Sequence, residues 1–341
     1  MQANNHFIER DRPTDSPYSY PFVVNVFKTS EKYGLFRYFR KLPHFVTRFF
    51  ATIAGVFLFN FGPWKKQVGK NLDIIFKGKI KKKYGKKMER KIANSIAFIN
   101  AKSMARNFIE NLFTLTSLTV YKDYYKDVIK WEGDSLKRII DAWKLGKGVV
   151  CISIHAGCPE ILTTALGHYR RGGEIPSKAK ASIPTEKGSV DAYIKYMNRV
   201  VGMLEMGQDE GVDRKAAAID VIKRKQILML AIDRGHKNYP IIPIFDKPAR
   251  SPIGPAFMYV KYGSPILPAY IVPHPKKSQW TIFVDDPLKL KDNHDGLSER
   301  ELIVENSKIV NKALEKIILK TYPNWLYLIL FHKLKGIEIK K

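Results

Sequence analysis

From Trp131 onward the chain alternates amphipathic stretches with short apolar runs rich in β-branched residues, and this alternation leaves few architectures open. GDSLKRIIDAWKLGKG reads as a helix with an Asp-Ser start and a glycine stop. VVCISI (149–154) follows as a β-rich run, then PEILTTALGHYRR as a second helix. ILMLAI (227–232), PILPAYIV (265–272) and TIFVDD (281–286) are further strand candidates, and residues 292–323 read as a long amphipathic helix that stops at a proline. Helices interleaved with short apolar strands predict an α/β sandwich over residues 131–341. No internal repeat is evident.

Residues 31–130 have a different texture. The apolar part, Phe49–Phe61, is 13 residues long, about 20 Å of helix, whereas a bilayer core needs about 20 residues. Arg48 bounds it on one side and Pro63, Trp64, Lys65 and Lys66 on the other, with Arg37, Arg40 and Lys41 further upstream. This pattern predicts a helix that lies in, or dips into, one leaflet. Phe49, Phe50, Phe57 and Phe59 would then meet lipid, with Trp64 at the interface; a buried core helix has the same composition. KGKIKKKYGKKMERK (77–91) holds nine basic residues and one acidic one. A run of this kind is usually a solvated helix face, but beside a membrane-seeking helix each charge adds about 1 kcal/mol of attraction to an anionic leaflet. Residues 91–130 carry helical periodicity through Ile92, Ile96, Ile99, Met104, Phe108 and Leu112. The first 30 residues lack the basic-then-apolar order of a signal peptide and read as a mobile tail.

With 59 Lys+Arg against 32 Asp+Glu, the formal net charge is +27. Such an excess favours anionic partners. Neither a zinc-type spacing nor an RNP-like strand nor a helix-turn-helix accompanies it, so nucleic acid is not the expected partner. Cys151 and Cys158 form no ladder of spacings, which points to a reducing compartment. No metal-ligand cluster is evident.

The chemistry-bearing stretch is CISIHAGCPEIL (151–162). His155 ends a buried strand, and in open α/β sheets ligands sit beyond the carboxyl ends of strands. Ala156 and Gly157 leave space beside the ring, Pro159 suits a first helical turn, and Glu160 falls in that turn. The intervening turn can bring the two side chains together, so that Glu160 accepts the Nδ1 proton and Nε2 serves as a general base. A packed structural histidine followed by a helix-start glutamate would look the same. Cys158 beside His155 could be a nucleophile or, more commonly, a small residue packed in a first turn.

The spacing from His155 to Glu160 resembles the H-x4-D/E motif of the lysophospholipid acyltransferase superfamily. Further segments resemble its branch of lipid A late acyltransferases and phosphatidylinositol mannoside acyltransferases. They are Asn71-Leu72 after the apolar helix, WEGDSLKRIIDAWKLGKGVVCISIHAGCPE, ILMLAIDR ending in Asp233-Arg234, IFDKPARSPIGPA (244–256) and YPNWLYLILFH (322–332). The similarity runs over roughly residues 31–335. The chain departs where the branch usually has an aromatic (Ala156, Cys158 and Pro159 here), at Phe245-Asp246-Lys247 in place of F-F-G, and in a partly kept terminal tryptophan motif. These departures bear on the acceptor.

The resemblance implies an αβα sandwich of the glycerol-3-phosphate/lysophospholipid acyltransferase type behind an N-terminal membrane-associated helical region. It implies transfer of a fatty acyl group from acyl carrier protein or coenzyme A to a lipid or glycolipid hydroxyl, without a metal or cofactor. His155 would be the base and Glu160 its orienting acid. Arg199 and Arg250 would be oxyanion donors, and Asp233, Arg234 and Gly254 would border the substrate. Expected partners are anionic membrane lipids, the acceptor and the acidic carrier protein or coenzyme A thioester, at the cytoplasmic face of a bacterial inner membrane. The rival readings are a lysophospholipid remodelling enzyme, an inactive relative, and a non-catalytic basic binding module.

Overall fold

A seven-stranded sheet organises the protein. The computed structural model describes residue 33 and residues 44–120, 124–184, 204–206, 213–277, 279–292 and 296–337. The expected N-terminal tail and the segment around Arg199 lie outside the described residues. In chain order the strands are β1 (Ile129–Trp131), β2 (Val149–Ser153), β3 (Ala181–Pro184), β4 (Leu204–Met206), β5 (Ile227–Ala231), β6 (Ile266–Pro273) and β7 (Trp280–Val284). Their order across the sheet is β1-β7-β6-β2-β5-β3-β4, parallel throughout except for the β6–β7 pair.

The central strand explains why its sequence is continuously apolar. All five residues of β2 are buried. Val150 and Ile152 join one apolar cluster, with Val310, Leu314 and Ile317 of a long helix. Val149 and Cys151 join another, with Ile161, Leu162 and Ala165 of the helix that follows β2. Alternate side chains thus enter opposite layers, as the period of a strand requires, and a parallel strand covered on both faces has no polar side to show. The four strands expected at 149–154, 227–232, 265–272 and 281–286 are present. Strands β1, β3 and β4, of three or four residues each, are too short to leave a periodic signal.

Helices cover both faces. The one expected over 292–323 runs only over Glu299–Thr321, because Ser298 and Glu301 form a reciprocal capping box that sets its start. Before the sheet, α1 (His44–Phe61) turns at Gly62-Pro63 into α2 (Trp64–Ile75), the two axes meeting at 84°. Helix α3 (Lys79–Val120) absorbs the basic run and kinks at Gly85, whose φ is 76°. Among the described residues no single helix is long and apolar enough to cross a membrane.

Helix α1 leaves Phe45, Phe49, Phe50, Ile53, Phe57 and Phe61 exposed. Two expected lipid contacts need correcting. Trp64 is buried, its indole N–H donating to Asn100 Oδ1 at 2.9 Å. Phe59 is half-buried, edge-on to Phe98. The bend is the cause: it folds the Trp64 ring back over Gly62, where a Cβ would meet the ring at 2.5 Å.

Two buried asparagines tie these N-terminal helices to the C-terminal segment. Asn71 donates to the Leu328 carbonyl and accepts from the His332 amide at 3.1 Å. Asn100 donates to the carbonyls of Pro323 (3.2 Å) and Trp325 (3.0 Å). Replacing Asn100 by Leu would leave the Trp64 indole and two carbonyls without these bonds, and a buried group so orphaned costs about 1–3 kcal/mol. Asn100→Leu is therefore expected to lower stability by about 3 kcal/mol or more, read as a fall in thermal midpoint, where a surface Asn→Leu would be near neutral.

Candidate active site

The register of the sheet assembles the site. Strands β2 and β5 pair in parallel from Val149↔Ile227 to Ser153↔Ala231. Continued two residues past the strand ends, the same offset sets His155 opposite Asp233. The side chains meet there: His155 Nδ1 lies 2.8 Å from Asp233 Oδ1, and the His155 amide donates to Asp233 Oδ2 at 2.8 Å. A third donor, the Trp325 indole N–H, reaches Asp233 Oδ2 at 2.8 Å. Asp233 and Trp325 are fully buried, while the His155 side chain is 28% exposed. A carboxylate with no contact to water thus holds an imidazole that keeps part of its surface outside.

The turn after His155 is shaped for close packing. Gly157 has a φ of +64°, and a Cβ on it would meet the Ile271 carbonyl at 2.6 Å. The C-terminal segment joins this turn edge to edge: Leu326 N–H donates to the His155 carbonyl at 2.8 Å and Gly157 N–H to the Asn324 carbonyl at 3.0 Å. It also sets the Tyr327 ring against the imidazole, centroids 4.9 Å apart, with the Arg234 guanidinium 5.7 Å from the same ring.

The charge state follows from these contacts. Complete burial by itself raises the Asp233 carboxyl, but the charge and hydrogen bond of His155, the Trp325 indole and the His155 amide together hold it below the usual carboxylate range. An ionised Asp233 can only accept, so Nδ1 carries the proton and Nε2 is the basic nitrogen of the neutral ring.

The expected partner of Nδ1, Glu160, is corrected to Asp233. Strand pairing puts Asp233 beside the ring, whereas Glu160 lies beyond the buried turn Ala156–Cys158, second in helix Pro159–Arg171. Its side chain lies outside the described residues, as does Arg199. Arg250, expected as an oxyanion donor, is tied to backbone carbonyls here. Its Nη1 donates to the carbonyls of Lys237 and Tyr239, and its amide donates to the Lys335 carbonyl at 2.8 Å. Gly254 is the first residue of the helix Gly254–Tyr262, with open space where a side chain would stand. Cys151 and Cys158 are buried and not joined in a disulfide, and burial pushes the Cys151 thiol up to about 12, far from a thiolate at neutral pH. Among the described residues no group of three or more His, Cys, Asp or Glu side chains is placed to hold a metal ion.

A strand-end histidine, its acid one strand over and an aromatic clamp from the C terminus occupy the ligand edge of this sheet. The family description that matches, over residues 27–334, is bacterial lipid A biosynthesis acyltransferase. The chain belongs to that family. It is therefore an acyltransferase of the lipid A type, with the αβα architecture expected from the motifs. No curated protein sequence matches the chain.

In the sequence Trp325 and Tyr327 stand out only as part of a loose motif, and nothing local links Asp233 to His155. The equal spacing of the two residues past paired strands was the available signal, but it needs the strand order to be read.

Asp233→Asn tests the arrangement. An amide facing Nδ1 can offer its N–H₂, which would move the ring proton to Nε2 and remove the base. Acyl transfer is expected to fall about 10⁴-fold, the loss seen when the orienting acid of a hydrolytic triad is changed in this way. Because the folded carboxyl titrates below its unfolded value, the wild type gains stability from it above about pH 4 and loses it as pH falls. The stability difference between wild type and Asp233→Asn should therefore shrink as pH falls below about 4, the ordinary carboxylate range, as read by denaturant unfolding at each pH.

Proposed function

We propose that the chain moves a fatty acyl group from a thioester, on acyl carrier protein or coenzyme A, to a hydroxyl of a lipid A precursor or similar glycolipid. The observation that carries this reading is the 2.8 Å contact between His155 Nδ1 and Asp233, which leaves Nε2 as the base. Nε2 takes the acceptor hydroxyl proton as that oxygen attacks the thioester carbonyl. The tetrahedral oxyanion collapses with loss of the C–S bond, and the imidazolium returns the proton to the departing sulfur. A positioned base of this kind contributes about 10²–10⁴-fold.

Glu160, the acid of the H-x4-E motif, is proposed to balance the charge of the imidazolium that forms on His155. Arg199 and Arg234 are the side chains proposed for the oxyanion; removing one such donor costs on the order of 3 kcal/mol in the transition state. Arg234 is favoured by its position after Asp233 and over the Tyr327 ring that faces His155. The net charge of +27 suits an acidic carrier protein, the phosphates of coenzyme A and an anionic leaflet alike.

Seating on the cytoplasmic face of the bacterial inner membrane is supported by the exposed phenylalanines of α1 and the exposed lysines at 81–83 and 86–87. The double variant Phe49→Ser/Phe57→Ser is expected to lose flotation with vesicles containing phosphatidylglycerol while its melting temperature holds. Unchanged flotation would contradict that seating.

The direct test incubates purified protein with acyl carrier protein or coenzyme A thioesters and either lipid A precursors or lysophospholipids, and reads products by mass spectrometry. The expected result is a precursor heavier by one acyl chain, with His155→Ala reducing its rate by about 10²–10⁴-fold and leaving vesicle binding intact. Glu160→Ala is expected to lose transfer as well. Near-normal turnover in His155→Ala, or acylation of lysophospholipids alone, would overturn the reading.

A further inference from the structure

Lys335 is the one lysine or arginine among the described residues whose side chain is wholly buried. Its ammonium donates to the Ile232 carbonyl at 3.0 Å, the residue immediately before Asp233. Burial lowers its pKa to about 8, against the pull of the Asp233 carboxylate. A buried charge of this kind is a poor way to gain stability, since an apolar side chain of similar volume in the same space is commonly neutral or better. Nor is the ammonium needed to place its own segment. The Arg250 amide donates to the Lys335 carbonyl, the Gly235 amide to Leu334, and the Lys335 amide to Phe331, all through backbone atoms.

We propose that Lys335 is a positioning residue for acyl transfer, whose buried positive charge balances Asp233 and sets the pH range over which His155 is an unprotonated base. The inference rests on the reading of His155 as that base. With Lys335 charged, the neutral imidazole completes a buried group of zero net charge, and protonating it leaves a surplus of one. Without the ammonium, the same protonation neutralises an isolated buried carboxylate and is favoured.

Among the described residues, the other charged or titratable side chains around the pair are Arg234, His332 and Arg250. Arg234 lies over the Tyr327 ring, whose face meets the imidazole. Glu160 belongs to the first turn of the adjoining helix. His332, one turn before Lys335, is bonded through Nδ1 to Asn71, and Arg250, beside Gly336, holds the Lys237 and Tyr239 carbonyls. None of these changes when Lys335 is replaced by a neutral side chain.

The test is the pH profile of acyl transfer for full-length wild type, Lys335→Met, Lys335→Gln and Lys335→Arg, with melting temperature as the check on folding. The two neutral variants are expected to fold, Lys335→Met melting at or above wild type. Their acid limbs should move to higher pH by about one unit, roughly a tenfold loss of rate on that limb. Lys335→Arg, which keeps the charge, should return the limb toward its wild-type position. Profiles of the neutral variants that superimpose on wild type would overturn the proposal, as would failure of both to fold, since the ammonium would then be a structural tie. A wild-type enzyme with no acyl transfer, or transfer that survives His155→Ala, would instead remove the function on which the proposal rests.

Discussion

One buried carboxylate organises the working end of this protein. Asp233 has no contact with water, and an ionised acid in that position persists only when every nearby group is arranged to favour it. The His155 ring and amide and the Trp325 indole supply that arrangement directly, and the buried Lys335 ammonium lies against the preceding carbonyl. The same contacts determine which imidazole nitrogen carries a proton. Under the proposed mechanism, stability and chemistry rest on the same atoms.

This dependence explains why the segment after Thr321 belongs to the site although it is far in sequence from His155. The residues from Tyr322 to Ile337 make two short 3-10 turns and one helical turn, too little regular structure to stand alone. They are held by Asn71 and Asn100 from the N-terminal helices and by the loop after His155 on the other side. Helix α1, which exposes the phenylalanines, packs on α3, whose Asn100 donates to the backbone of the tryptophan that supports Asp233. The helix with exposed phenylalanines and the His155–Asp233 pair belong to one packed unit, as the proposed transfer to a membrane-borne acceptor would need.

Much of this was legible in the sequence. The four longer strands and the helices between them follow from apolar runs and their turns, and His155 stands out because a buried strand seldom ends on a lone histidine. The partner of that histidine was not legible. Glu160 is close in sequence, but Asp233, 78 positions away, is brought in by strand register, a long-range property. Trp64 was misread for a related reason: its place beside a membrane-like helix suggested an interface, while the bend at Gly62-Pro63 turns it onto Asn100. Lys335 could not be singled out in a chain with 59 lysines and arginines, because burial is all that distinguishes it.

The tautomer of His155 tests the central claim most directly. In ¹⁵N-labelled protein at a pH where the ring is neutral, the nitrogen shifts of this residue report which atom bears hydrogen. The arrangement around Asp233 predicts a protonated Nδ1 and an unprotonated Nε2. A neutral ring with its proton on Nε2 would contradict it, because the nitrogen required to accept the hydroxyl proton would already hold one.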